Sequence, residues 1–138
     1  MTDLGTLAGL QAALDGSPFQ AVLGIRVVKF DLAPPEIEFL LPFRPSLARQ
    51  SGGEQIHGGV LATLMDVAGD YALALSLGYF TPTINLHTDF LRPAVGSLRA
   101  VATVLRCGRS IGVADIRVYD REEKLVATGR GTYSTRKS

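Results

Sequence analysis

Apolar residues recur at three- and four-residue steps near the start of the chain, at Leu4, Leu7, Leu10 and Leu14. This spacing predicts a short amphipathic helix over residues 4–15, stopped by Gly16-Ser17-Pro18. The run from Phe19 to about Phe30, FQAVLGIRVVKF, reads as a strand. A second strand follows the Pro34-Pro35 turn, where Ile37 and Phe39 alternate with Glu36, Glu38 and Leu40. The pattern then lapses into a polar loop at 44–56, RPSLARQSGGEQI, the kind of segment on which sites tend to sit. Residues 58–78 restore helical spacing. After them, TINLHTDFL alternates Ile84, Leu86, Thr88 and Phe90 against Thr83, Asn85, His87 and Asp89. SLRAVATVLRC and IGVADIRVYD follow, split by Gly108-Arg109-Ser110, and a turn at 120–124 leads into LVATGRGTYST. One long helix among about five antiparallel strands is an α+β plan, with the helix packed on one sheet face.

On a helical wheel, Val60, Leu64, Val67, Tyr71 and Leu75 form the main stripe of the long helix. Leu61, Met65, Ala68 and Ala72 widen it, and Leu73, Ala74 and Leu77 close much of the rest. A helix apolar nearly all round is a buried helix. The exception is a narrow strip of Thr63, Asp66 and Asp70. Asp favours caps over helix interiors, and neither Asp has a Lys or Arg three or four positions away. The strip therefore faces either water or a polar cavity, and general-base work belongs to cavities of that kind. At the helix start, the N–H groups of Gly58 and Gly59 are unshielded by side chains and unpaired by helix geometry. Such an end can polarise a carbonyl or hold an oxyanion, although a Gly pair also simply permits a tight turn.

Composition narrows the class. The chain has 138 residues, 46% hydrophobic and 20% charged, with a formal net charge of +1. That fits one domain, 1–138, with a single core, and excludes disorder. No basic stripe exists, so we expect no nucleic-acid partner. Two Asp residues inside the long helix, each costing roughly 2.5–3.5 kcal/mol at mid-membrane, argue against a membrane span. The first sixteen residues do not read as a signal peptide, and the single Cys107 cannot form an intrachain disulfide. We expect a soluble, cytoplasmic protein with no metal and no cofactor; the Cys and His residues lack metal-ligand spacing.

The stretch HGGVLATLMDVAG, His-Gly-Gly followed after six residues by Asp, resembles the signature of hotdog-fold acyl-CoA thioesterases. The nearest branch is the PaaI-like one, named for phenylacetic acid degradation. The resemblance covers about residues 45–135, including the strand TPTINLHTDFLRPA and the Gly-Arg turn, in the expected order. It implies a hotdog fold, a long central helix wrapped by a curved antiparallel sheet of about five or six strands, preceded here by the short N-terminal helix. It also implies edge-to-edge homodimers that associate into homotetramers. Carried over residue by residue, the catalytic carboxylate falls on Asp66, the carbonyl-polarising N–H on Gly58, and a water-orienting hydroxyl on Thr83. Relatives often carry an Asn about six residues before the His; Gln50 and Ser51 occupy that neighbourhood here, and Glu54 stands where Gly is common. Asp70 has no family role to carry over and is assigned a supporting position.

The resemblance makes acyl-CoA the partner, with His57, Gly59, Gln50 and Ser51 beside the thioester. His57 is expected to fix the loop by hydrogen bonding. Arg106 and Arg109 flank a turn and are candidates for the coenzyme A phosphates, or plain surface charge. Two other readings stand beside the thioesterase: a hotdog hydratase or dehydratase, whose usual motifs are absent, and a non-catalytic acyl-CoA-binding module.

Overall fold

The computed structural model describes residues 3–137. Thr6 caps the first helix, α1 (Leu7–Gly16), by accepting the Gly9 N–H at 3.0 Å, and the helix buries Leu10 and Leu14. The expected strand over 19–30 divides. Its first part is a second short helix, α2 (Pro18–Leu23), and only then does β1 (Arg26–Leu32) begin. The reason is local. Pro18 at the first helical position supplies a preset φ, and Gly24, at φ 72°, turns the chain out after one and a half turns.

β2 (Pro35–Leu41) turns Ile37, Phe39 and Leu41 fully inward. A 3-10 turn (Pro45–Leu47) and the polar loop lead to the long helix, α3 (Gly58–Leu77), which Gly78 ends at φ 81°. Then come β3 (Thr83–Phe90), β4 (Leu98–Cys107), β5 (Ile111–Tyr119) and β6 (Leu125–Ser134). The six strands form one antiparallel sheet in the order β1-β2-β4-β5-β6-β3. β1 and β3 are its edges.

α3 is long and apolar enough to cross a membrane, but it is the core helix, with ten of its residues buried. The strands beneath it present small side chains: Ala100, Ala102 and Ala114 are completely buried. They let the helix settle close to the sheet. At the helix middle the approach is closest. A Cβ on Gly69 would lie 2.2 Å from the Tyr133 hydroxyl oxygen, so only Gly fits. Phe39 meets Tyr71 edge-on, with ring centroids 5.6 Å apart.

The C-terminal half of α3 is tied to the start of β3 through Asp70. One oxygen of its carboxylate accepts both the Thr81 N–H at 3.0 Å and the Thr81 hydroxyl at 3.1 Å. No residue of the helix itself could have satisfied it. Burial lifts its pKa to about 6; the two bonds from Thr81 oppose the shift, and neighbouring Asp66 adds to it. The folded chain thus holds this proton more tightly than the unfolded chain, in which the value is near 3.8. The stability this group contributes is full below about pH 4 and declines as pH rises through about 6. Asp70→Asn keeps an oxygen for Thr81 and removes the charge. We expect its stability relative to wild type, measured by urea denaturation, to be about 2 kcal/mol more favourable at pH 7.5 than at pH 4.5. A pH-independent difference would contradict this account.

Candidate active site

The start of α3 is built around His57. Its Nδ1 accepts the Gly59 N–H at 2.9 Å, so the neutral ring carries its proton on Nε2. Its carbonyl accepts from the Val60 N–H at 3.0 Å and the Leu61 N–H at 3.3 Å. A Cβ on Gly59 would stand 3.2 Å from Nδ1, so this glycine lets the imidazole fold over the helix end. Of the first four donors only the Gly58 N–H lacks a partner among the described residues. Gly58 itself lines a cleft of about 400 Å³ together with Arg49, Gln55, Phe90 and Arg92 among others. Among the described residues neither arginine is in an ion pair. A free N–H at the positive end of a helix beside two uncommitted guanidiniums suits an electron-rich ligand.

Two turns along, Asp66 is held from two sides. The Thr83 hydroxyl donates to its Oδ1 at 2.6 Å, and the Tyr133 hydroxyl donates to its backbone carbonyl at 2.9 Å. Burial and the Asp66 and Asp70 charges push the Tyr133 phenol well above its usual range, so it remains a neutral donor. Among the described residues no cation pairs with the Asp66 carboxylate. The second oxygen of Asp66 is thus uncommitted.

Strict alternation puts Thr83 on the same face as Asn85, His87 and Asp89. The structure corrects this. Thr83 pairs with Tyr133 and Asn85 with Thr132, so the register shifts by one residue between them. Ile84 is the extra residue of a β-bulge. The bulge turns Thr83 toward α3, while Asn85, His87 and Asp89 line a depression of about 500 Å³ on the outer face. There His87 meets Asp89 at 3.1 Å, and Arg130 grips Asp115 at 2.6 and 2.9 Å.

The other candidates scatter. Gln50 and Ser51 are exposed in the loop, where the Gln50 carbonyl accepts the Gly53 N–H; the loop residues that line the cleft are Arg49 and Gln55. Glu54 faces Arg121 at 3.8 Å. Arg106 and Arg109 flank the β4–β5 turn, next to Gly112, which packs on Leu73. Leu73 lies 15 residues along α3 from Gly58, about 22 Å. Sequence reasoning missed Arg49, Gln55, Arg92 and Tyr133, although Arg49 and Gln55 lie in the polar loop at 44–56 and Arg92 inside the quoted strand motif. Among the described residues no three His, Cys, Asp or Glu side chains gather as a metal site requires.

Comparison with known proteins places the chain in a family. Residues 53–127 match the family model described as Thioesterase superfamily. A Halobacterium salinarum protein provisionally named an esterase is 36% identical over 135 residues, covering 90% of this chain and 88% of its own. Acyl-coenzyme A thioesterase PaaI of Escherichia coli is 39% identical over 83 residues, 59% of this chain and 59% of its own. The structure of a thioesterase from Haemophilus influenzae superposes with a TM-score of 0.82 at 29% identity, covering 97% of this chain and 94% of that one. The chain belongs to the thioesterase superfamily and has the hotdog fold of the PaaI-like thioesterases it resembles.

Proposed function

We propose that the protein hydrolyses an acyl-CoA thioester to the free acid and coenzyme A. The observation that carries this reading is the 2.6 Å contact between Thr83 and Asp66, on a helix whose first N–H is free. The relative PaaI, named an acyl-coenzyme A thioesterase, supports the choice of substrate. The Gly58 N–H donates to the thioester carbonyl and stabilises the oxyanion that develops there. Thr83 occupies one oxygen of Asp66, and the other takes a proton from water as water attacks the carbonyl carbon. A lone pair on the Thr83 hydroxyl accepts the second water proton and aims the nucleophile. Direct attack by Asp66, through a mixed anhydride, uses the same groups. Coenzyme A leaves as a thiolate, so the step needs no strong acid. His57 and Gly59 fix the oxyanion donor. Arg49 and Arg92, which border the cleft, and Arg106 and Arg109 at the distant turn are the cations available to the coenzyme's phosphates.

Gly58 and Asp66 lie eight residues apart on one continuous helix, about 12 Å, whereas reacting atoms must come within about 3–3.5 Å. One chain cannot supply both. β3 is an unpaired edge, with Ile84 56% and Phe90 53% exposed, and Phe90 lies against Gly58. Antiparallel pairing of two β3 edges about a two-fold axis sets the partner's Thr83 near Phe90, and so the partner's Asp66 near Gly58. We assign each site to two chains of a homodimer, and place dimers in a homotetramer.

Free-thiol release from a panel of acyl-CoAs tests the activity, since neither a hydratase nor a binding module liberates coenzyme A. On the best substrate, Asp66→Asn is expected to lower kcat by on the order of 10²–10⁴ while folding stays intact. A folded variant with wild-type kcat would defeat the assignment. Thr83→Val should cost about 1–2 kcal/mol in kcat and change KM less; an effect confined to KM would make Thr83 a binding residue. The shared site is tested with Gly58→Pro, which deletes the donor at a position where helices tolerate proline, and Asp66→Asn. Each variant alone should be nearly inactive, and circular dichroism must show both folded. Refolded together, random pairing makes about half the dimers mixed, each with one intact site, so roughly a quarter of wild-type activity should return. Mixed dimers seen by mass spectrometry without activity would place the whole site in one chain.

A further inference from the structure

On the other side of the α3 start from the arginine-bearing cleft lies a groove of about 400 Å³ between α2 and α3. Phe19, Val22 and Leu23 of α2, Leu47 of the 3-10 turn and Val60 of α3 wall it. Phe19 and Val22 are each 60% exposed, although α2 is firmly seated. The Arg44 guanidinium holds the Val22 carbonyl, Tyr71 donates to Gln20 Oε1 at 2.9 Å, and Leu23 is buried. Two large apolar side chains on a fixed element, turned outward, leave a surface that gains by being covered.

Two of the polar groups that border the groove are already engaged, and the others, the Ser46 hydroxyl and the His57 Nε2–H, belong to solvent-exposed residues. The Thr63 hydroxyl donates to the Gly59 carbonyl at 3.0 Å, and His57 Nδ1 is taken by the Gly59 N–H. An apolar guest therefore strands neither of them. Among the described residues no carboxylate, Lys or Arg lines the groove, so a guest with a charged far end would bury that charge uncompensated. The groove also begins at His57 and Gly59, on either side of the free Gly58 N–H, and runs past Thr63, one turn short of Asp66.

We propose that this groove receives the acyl chain of the thioester: an apolar chain without a second carboxylate, its length limited by Phe19 and Val22. The proposal rests on the thioesterase reading for the identity of the substrate. It sets the substrate across the helix start, with the carbonyl at Gly58, the chain toward α2 and the phosphates on the arginine side.

The test uses the full chain and a series of S-alkyl-coenzyme A thioethers from methyl to dodecyl, which cannot be hydrolysed, titrated by calorimetry. Each methylene that enters the groove should tighten binding about fourfold until the groove is full, after which the gain stops. Val22→Trp narrows the groove and should bring the plateau at least two methylenes earlier, with the methyl thioether unaffected. Phe19→Ser should flatten the dependence on length. Both residues are exposed, so folding is preserved. Unchanged length dependence in both variants would overturn the proposal, whether or not the protein releases thiol from acyl-CoAs. Length dependence that responds to both variants, in a protein releasing no thiol, would uphold the groove and sink the thioesterase reading instead. If Phe19→Ser dissociates an oligomer in sedimentation and leaves the length dependence intact, the groove is a subunit contact and the proposal fails.

Discussion

The contact between Gly69 of α3 and Tyr133 of β6 sets the distance between helix and sheet, and the chemistry follows from that distance. Without a side chain at 69, the phenol lies against the helix and reaches the Asp66 carbonyl with its hydroxyl. Thr83 is the register partner of Tyr133 across β3 and β6. Fixing one of the pair fixes the other, and brings a hydroxyl to the Asp66 carboxylate. A larger residue at 69 would push helix and sheet apart and lengthen both bonds together. The alanines of β4 and β5 serve the same end along the rest of the helix, by keeping the surface beneath it low.

The two carboxylates of α3 show how four residues of spacing can separate roles. Both project from the same strip, yet Asp70 is closed over by Thr81 and held toward its neutral form by burial, while Asp66 stands half-buried by the free sheet edge with one oxygen unused. Asp70 secures the chain two residues before Thr83, so one carboxylate steadies the strand from which the other takes its hydrogen bond.

Much of this was legible from the order of residues. The apolar wheel of α3, the alternation in β2 and the Asp pair without helical partners all carry spacing signals, and spacing survives folding. In the first part of the apolar run at 19–30, the real signals were the Ser17-Pro18 start and the Gly24 stop of a helix, and only the second part is strand. Thr83 was found through family spacing, but its direction depends on a bulge, which no residue type announces. Arg49 and Gln55 reach the cleft because the loop closes on itself and on a later segment, through the bridges Ala48–Ile56 and Gln55–Val95. Those contacts join segments that local patterns treat separately. The partner of Asp70 was out of view for the same reason: it lies 11 residues on, past the end of the helix.

The bulge at Ile84 means that one part of the site is written in the number of residues rather than in their kind. Side chains on a strand change face with every residue added or removed. Deleting Ile84 would make Thr83 and Asn85 neighbours, and ordinary alternation would keep the hydroxyl on the helix side; straightening the bulge at constant length would carry it to the outer face, with every residue of the site still present. A lineage could thus silence Asp66 by straightening this strand at constant length, with every functional residue type in place. In comparing homologues, the count of residues from this threonine to the next inward-facing position of the strand is therefore as informative as the threonine itself.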